Sequence, residues 1–454
     1  MTDNKGIDLF EDDNISRILI RLSVPSVMVS LITIIYDMIH QVYIGHLNDT
    51  AMLASTSCTV TLAIIISEIG NAIGIGGSTY LGRELGAKNA VRTKDIVKTC
   101  ITLDLILSVA LTSICLLAMQ PYIRWQTGDP AVIAYAIPYG FISIVSSIFQ
   151  VFQLTMVSLF RAAGDVRFPM RVMAVSVIIT IALDPVFMFV CGLKVVGAAL
   201  ATATANFVAF LLCFYHLLSG RTFLSWDLFT FGIDPETARA VFNVGSSVYL
   251  RNFMGSFSMA VFTKQVFRYG TAFSAGCSVG KYALYFVNFF IQGVCNGVLP
   301  FASYTYGARD YPRLYKAVMW SFKVLTAYCL LAMLFMATRA EWFISFFTKD
   351  PQAIAYGARY LKAYNYSLLL YSAYYIITVL LQSSGRGKES MVVSLSRQGL
   401  IYVPLLIVLP RLFQENGIFF SQPVADWLTV IAAVFMSRDL LQTIWEERKT
   451  PSQG

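Results

Sequence analysis

The sequence repeats itself. Asp129-Pro130, followed by Ile133-Ala134-Tyr135, returns as Asp350-Pro351 followed by Ile354-Ala355-Tyr356, about 221 residues later. Gly86-Ala87-Lys88-Asn89 returns as Gly307-Ala308-Arg309-Asp310, and Gly164 as Gly385, in the same register. Three separate landmarks on one offset mark an internal duplication, so whatever one copy folds into, the chain must build it twice.

Apolar runs define what each copy is made of. The stretches 97–119, 137–160, 170–190, 195–218 and 391–409 each approach or exceed the ~20 residues that a helix needs to cross ~30 Å of hydrocarbon. They lack the period-two alternation of barrel strands, which leaves helices as the only spanning element. Hydrophobic residues make up 57% of the 454 and charged residues 13%, too little polar surface to cover a soluble globule of this size. Twelve spans, six per copy, give an all-α membrane protein with twelve transmembrane helices in two parallel six-helix repeats.

The expected organisation is a cytoplasmic N-terminal segment (1–16), a first lobe (17–218), a cytoplasmic linker (219–236), a second lobe (237–445) and a cytoplasmic tail (446–454). No small-residue cleavage pattern follows the first apolar run, so it is read as a retained span and not a signal peptide. In the linker, Asp234 before Pro235 and Glu236 reads as an N-cap with proline at the first helical position.

The net charge of +8 orients the chain and does not bind nucleic acid. Arg83, Lys88, Arg92, Lys94, Arg161, Arg167, Arg309, Arg313, Arg386 and Lys388 fall on the side that also holds both termini, as the positive-inside rule requires of the cytoplasmic face of a plasma (inner) membrane. Because six is even, the two copies share one orientation. Such parallel repeats are typical of transporters working by alternating access. Nothing resembles a selectivity filter or a ring of like charges. There is no HExxH, no GxSxG and no paired metal-ligand motif, and three histidines leave little scope for a metal, so the reading is no enzyme, metal or cofactor. Seven of the eight cysteines fall in predicted spans without a CxxC pair and read as buried, unpaired hydrophobes.

Ionisable residues inside spans cost at least ~2.5 kcal/mol near the bilayer centre on insertion scales, so each needs a reason. Asp37 and His40, three apart on the first span, share a face. Asp184, before Pro185 on the fifth span, reaches a similar depth. The three form a candidate proton site. Against that, Asp184 could serve backbone freed by Pro185, and Asp37 and His40 could face water at the interface. On the second span Glu68 and Asn71 sit beside Gly70-x-x-x-Gly74, a spacing for close helix approach, and could touch cargo or pair with a basic residue. In the second copy the sign reverses. Arg251 and Asn252, then Lys281, Asn288 and Gln292, line a candidate substrate cavity or form structural ion pairs. Asp104 and Arg397 read as loop anchors near the cytoplasmic interface. Tyr360, Tyr364, Tyr366, Tyr371, Tyr374 and Tyr375 cluster on the tenth span, as interface anchors or as a lining on which flat or cationic ligands could stack.

The stretches FRAAGDVRFPM and LDPVFMFVCGLKVVGAALAT resemble the fourth-to-sixth helix signature of the multidrug and toxic compound extrusion (MATE) transporters. GIGGSTYLGRELGAKN, LPFASYTYGARD and SLSRQGLIYVPLLIVLP resemble the same family at corresponding places, covering essentially the whole chain. The resemblance implies a V-shaped twelve-helix fold and cation-coupled export. It places cation coupling on first-lobe acidic residues, of which Asp184 in the LDP motif carries over directly. In YDMIHQVYIG, His40 stands where an aspartate is common, with Asp37 one turn earlier, and Thr180 stands where an asparagine often precedes LDP. Lys281 matches a position where the family often has a basic residue. Imidazole is a poor ligand for a hard cation, so these departures weigh toward H⁺ over Na⁺ as coupling ion. The expectation is a monomeric antiporter exporting amphipathic, aromatic or cationic small molecules, in contact with membrane lipids. The alternative is a flippase for a lipid-linked or other endogenous amphiphile.

Overall fold

The computed structural model describes residues 8–45, 50–89, 91–219, 224 and 230–448. Among them there is no strand, and almost every residue is helical. Backbone N–H and C=O groups have no water to bond in hydrocarbon, so each span satisfies its own. After a short turn (Asp8–Glu11) come α1 (Ile15–Gly45), α2 (Thr50–Gly86), α3 (Val91–Gln126), α4 (Pro130–Ala162), α5 (Arg167–Pro185, extended by a π turn Val186–Val190) and α6 (Lys194–Leu218). The second copy supplies α7 (Pro235–Phe267), α8 (Thr271–Gly307), α9 (Tyr311–Ser345) and α10 (Pro351–Leu368, then Leu370–Ser383 after a 53° bend). It continues with α11, which starts at Gly387–Leu395, passes a π turn (Ser396–Leu400) and enters the helix Tyr402–Met436. A break at Gln414, with φ 51° and ψ −129°, divides that helix into the end of α11 and the span α12 (415–436). A short helix, α13 (Arg438–Glu447), ends the described chain.

Eight of these helices, and the continuous run Gly387–Met436 that holds α11 and α12, are long and apolar enough to span a membrane, and the bent α10 pair makes another. The remaining span, α7, is less apolar because it carries Arg239, Asn243, Arg251, Asn252 and Lys264. The chain is a multi-pass, all-α membrane protein of twelve spans.

The duplication is reproduced bond for bond. At the end of α2, Ala87, Lys88 and Asn89 donate to the carbonyls of Arg83, Leu85 and Glu84, and at the end of α8, Ala308, Arg309 and Asp310 donate to those of Tyr304, Tyr306 and Thr305. Lys88 and Arg309 both take left-handed φ values, 58° and 55°. The ends of α4 and α10 match likewise, with Gly164 at 84° and Gly385 at 75°, a conformation that glycine adopts without a Cβ penalty. Asp129 and Asp350 cap α4 and α10 in the same way, accepting from Ala131 and Gln352 at 2.9 and 3.0 Å. Asp234 caps α7, accepting from the Thr237 amide at 2.9 Å and its hydroxyl at 2.6 Å, and these bonds hold its carboxyl below the usual carboxylate range. The rest of the linker, 220–223 and 225–229, lies outside the described residues, as does the end of the tail.

Packing divides the chain into two compact units that do not coincide with the sequence copies: 28–245 with 1–13, and 246–454 with 14–27. In the first unit, Gly70 on α2 meets α4 so closely that a Cβ would lie 2.5 Å from the Val151 carbonyl oxygen, and at Gly76 it would lie 2.3 Å from that of Val241. In the second unit, Gly293 and Gly297 on α8 press on the backbone at Val27 and Ser23. Lipid offers no hydrophobic drive for helix association, so such close backbone approach is what holds spans together. Seven cysteines are buried and Cys191 is exposed, all as free thiols.

Gly70→Ala places a methyl group in the α2–α4 crossing, an overpacking cost of about 1–3 kcal/mol. Purified in detergent, this variant is expected to unfold at a clearly lower temperature than wild type. An unchanged midpoint would show that the crossing is not under packing constraint.

Candidate functional site

The first unit brings α1, α5 and α6 together around one carboxylate. Asp184 is fully buried, and its Oδ2 lies 2.9 Å from Nδ1 of His40, whose side chain is 13% exposed. A contact of that length between two acceptors needs a proton, carried by the ring nitrogen or by the carboxyl. The other oxygen, Oδ1, is buried without a hydrogen-bond partner. Among the described residues no backbone donor reaches Asp184, so it does not serve the helix opened by Pro185. The break after Pro185 is satisfied within the chain by the π turn, where Cys191 donates to the Val186 carbonyl at 2.8 Å.

Tyr36, one helical turn before His40, packs against the imidazole with ring centroids 5.5 Å apart, and its hydroxyl lies 3.4 Å from that of Thr202 on α6. Tyr139 of α4, buried against Met52, Val195 and Ala199, is within electrostatic range of Asp184. Neither Tyr36, Thr202 nor Tyr139 was picked out from the sequence, although Tyr36 stands four residues from His40 and hence on its face. Thr180 is buried one turn before Asp184, but its hydroxyl donates to the Ser176 carbonyl at 3.0 Å and not to the carboxylate. Asp37 lies on α1, its side chain outside the described residues. Glu68 and Asn71 are joined on α2, the amide donating to Glu68 Oε2 at 3.2 Å.

The second unit gathers the cationic set around α10. Arg251 donates to Asn252 Oδ1 at 3.3 Å. The Tyr375 hydroxyl donates to Asn288 Oδ1 at 3.0 Å, and Gln292 reaches the same tyrosine. Lys281 Nζ sits 4.0 Å from the ring centre of Phe262 and 6.0 Å from that of Tyr402, a cation–π arrangement. Of the tyrosine cluster, Tyr360, Tyr364, Tyr371, Tyr374 and Tyr375 are buried and only Tyr366 is exposed, so this is mainly an interior group and not a belt.

Two residues are placed differently from their sequence reading. Arg397 is no interfacial anchor: it is 4% exposed, donates from Nε to Asp426 Oδ1 at 3.0 Å, and lies 4.1, 4.7 and 5.7 Å from the ring centres of Tyr371, Tyr374 and Tyr375. Gln422 adds a second donor to the same oxygen at 3.0 Å. Asp104 is 3% exposed, bonded to Thr155 of α4 between helices. Both were read from their distance to the end of an apolar run, which gives depth but not facing. Asp426 was missed, although a lone acid inside the twelfth span was there to be seen.

A buried all-helical frame, built twice and enclosing polar groups in membrane spans, is the architecture of a two-repeat membrane transporter. The family model MatE matches residues 25–186 and again 248–408, so the chain belongs to the MatE family. It is 28% identical over 438 residues to the multidrug export protein MepA of Staphylococcus saprophyticus subsp. saprophyticus, covering 95% of this chain and 96% of that one. MepA of Staphylococcus aureus (strain MSSA476) is 27% identical over 443 residues, with the same coverage. Among solved structures, a MATE protein in its bent conformation superposes with a TM-score of 0.91 at 21% identity, covering 98% of this chain and 99% of that one. A MOP superfamily transporter from Pyrococcus furiosus, described as having a binding pocket of reverse polarity, gives 0.90 at 21% identity, covering 97% and 99%.

Removing one partner of a buried ion pair typically costs about 3–5 kcal/mol, because the other charge is left uncompensated. Arg397→Met and Asp426→Leu alone should each lower the thermal midpoint strongly, and the double variant should recover most of the loss. Single variants that melt like wild type would exclude this pair as a structural element.

Proposed function

We propose that this chain is a proton-coupled antiporter that exports amphipathic, aromatic or cationic small molecules by alternating access. The observation carrying the coupling assignment is the His40–Asp184 contact, one proton shared between two acceptors beside an unpartnered carboxylate oxygen. A proton arriving from outside adds to this pair, whose loaded and unloaded forms differ in charge within the membrane. That difference biases the conformational equilibrium that cargo binding biases in the opposite sense. The donor set supports H⁺ over Na⁺, since a hard cation prefers several oxygens and one side of Asp184 is taken by imidazole nitrogen. The names of the staphylococcal relatives support multidrug cargo, and the buried aromatic residues of the second unit offer surfaces for flat or cationic ligands.

One observation favours a second reading, a flippase or exporter of an anionic amphiphile. Arg251 and Lys281 form no ion pair with a carboxylate of their own unit among the described residues, and both could meet a phosphate. Competition between a lipid pyrophosphate and a cationic dye for binding separates the two readings.

In proteoliposomes, export of a fluorescent cation is expected to follow an imposed pH gradient and to ignore an imposed Na⁺ gradient. Asp184→Asn should reduce substrate-induced proton flux to the level of protein-free vesicles while the protein still folds. Undiminished flux would remove Asp184 from the mechanism, and Na⁺-driven transport would overturn the choice of ion.

A further inference from the structure

A third buried carboxyl, Asp104 on α3, takes no part in the site described above. It is 3% exposed, inside the first unit, and its partner Thr155 on α4 is fully buried. Thr155 Oγ1 lies 2.9 Å from Asp104 Oδ1 and 3.1 Å from the carbonyl oxygen of Gly70 on α2. Asp104 Oδ2 is buried without a hydrogen-bond partner.

The hydrogens can be counted. A threonine hydroxyl has one proton to give and stands here between two acceptors. Were Asp104 ionised, the hydroxyl would turn to it and leave the Gly70 carbonyl with its helical bond alone, and a carboxylate would be buried with a single neutral donor. Burying an ionised group so poorly compensated is strongly unfavourable. With a proton on Oδ1, every hydrogen is placed: the acid donates to Thr155 Oγ1, and Thr155 donates to Gly70. Among the described residues, no charged side chain of α2, α4 or the 230–234 segment that packs on α3 acts on Asp104, and its titratable neighbour is the thiol of Cys100, one turn away on α3. Asp426 supplies the contrast, because it receives a guanidinium and an amide on one oxygen.

We propose that Asp104 is a second proton-binding carboxyl of the first unit, held as the neutral acid, whose proton ties α3 to the crossing of α2 and α4. The relay ends on Gly70, where α4 comes closest to α2. Loss of the proton would turn the Thr155 hydroxyl back to the carboxylate and release the Gly70 carbonyl from the chain. Asp104 is a positioning residue, and the proposal stands whichever ion drives transport.

Infrared difference spectroscopy of the purified full chain tests it. Subtracting the spectrum of Asp104→Asn from wild type at neutral pH should show loss of a protonated-carboxyl C=O band, separate from any band that responds to Asp184→Asn. Thr155→Val should shift the Asp104 band to higher frequency, because the acid loses its acceptor. Asp104→Asn, whose amide N–H can replace the acid O–H, should keep its thermal midpoint near wild type, whereas Asp104→Ala should lower it. If Asp104→Asn does not fold, the Thr155→Val shift decides alone. Carboxylate bands in place of the protonated-carboxyl band, or no shift in Thr155→Val, would overturn the proposal.

Discussion

A carboxylate in hydrocarbon must find a counter-charge, a proton or a way out, and this constraint organises the interior of the protein. Each of three buried acids meets it differently. Asp426 has a guanidinium and an amide on one oxygen, Asp184 shares a proton with an imidazole, and Asp104 has only a hydroxyl. The firmness of the compensation falls in that order. A guanidinium stays charged at any physiological pH, so the Arg397–Asp426 pair is a fixture.

Around these acids the frame is held by backbone meeting backbone. Gly70, Gly76, Gly293 and Gly297 each leave room where a Cβ would strike a neighbouring main chain. Polar links then fix the crossing in register, as where the Thr155 hydroxyl on α4 reaches the Gly70 carbonyl on α2. Packing and polar chemistry therefore meet at the same residues in the first unit, while in the second the polar groups collect around the tyrosines of α10.

Much of the frame was legible in the sequence because it rests on local rules. The Asp-Pro pairs cap helices, the repeated glycines and the Lys88/Arg309 pair end them, and the apolar runs are spans, all decided within a few residues of chain. Asp184 and His40 were legible as chemistry out of place in lipid, and the fold brings them to 2.9 Å from one another. What could not be read was facing. Arg397 and Asp104 were assigned to the interface by depth, whereas each points inward to a partner on another span, 29 and 51 positions away. The pairing of Arg397 with Asp426 crosses the break at Gln414, a left-handed non-glycine residue that no local motif announces. Thr180 was placed by resemblance alone, and its hydroxyl turned out to serve its own helix.

The mismatch between sequence copies and packing units has a consequence for how such a chain arose. Residues 14–27, which hold the start of α1, belong to the unit built from the second copy, and the opening turns of α7 belong to the unit built from the first. Each half thus lends the start of its leading helix to the other, the arrangement that domain swapping produces between two identical protomers. The molecule can be viewed as a swapped homodimer whose two chains were joined by a linker.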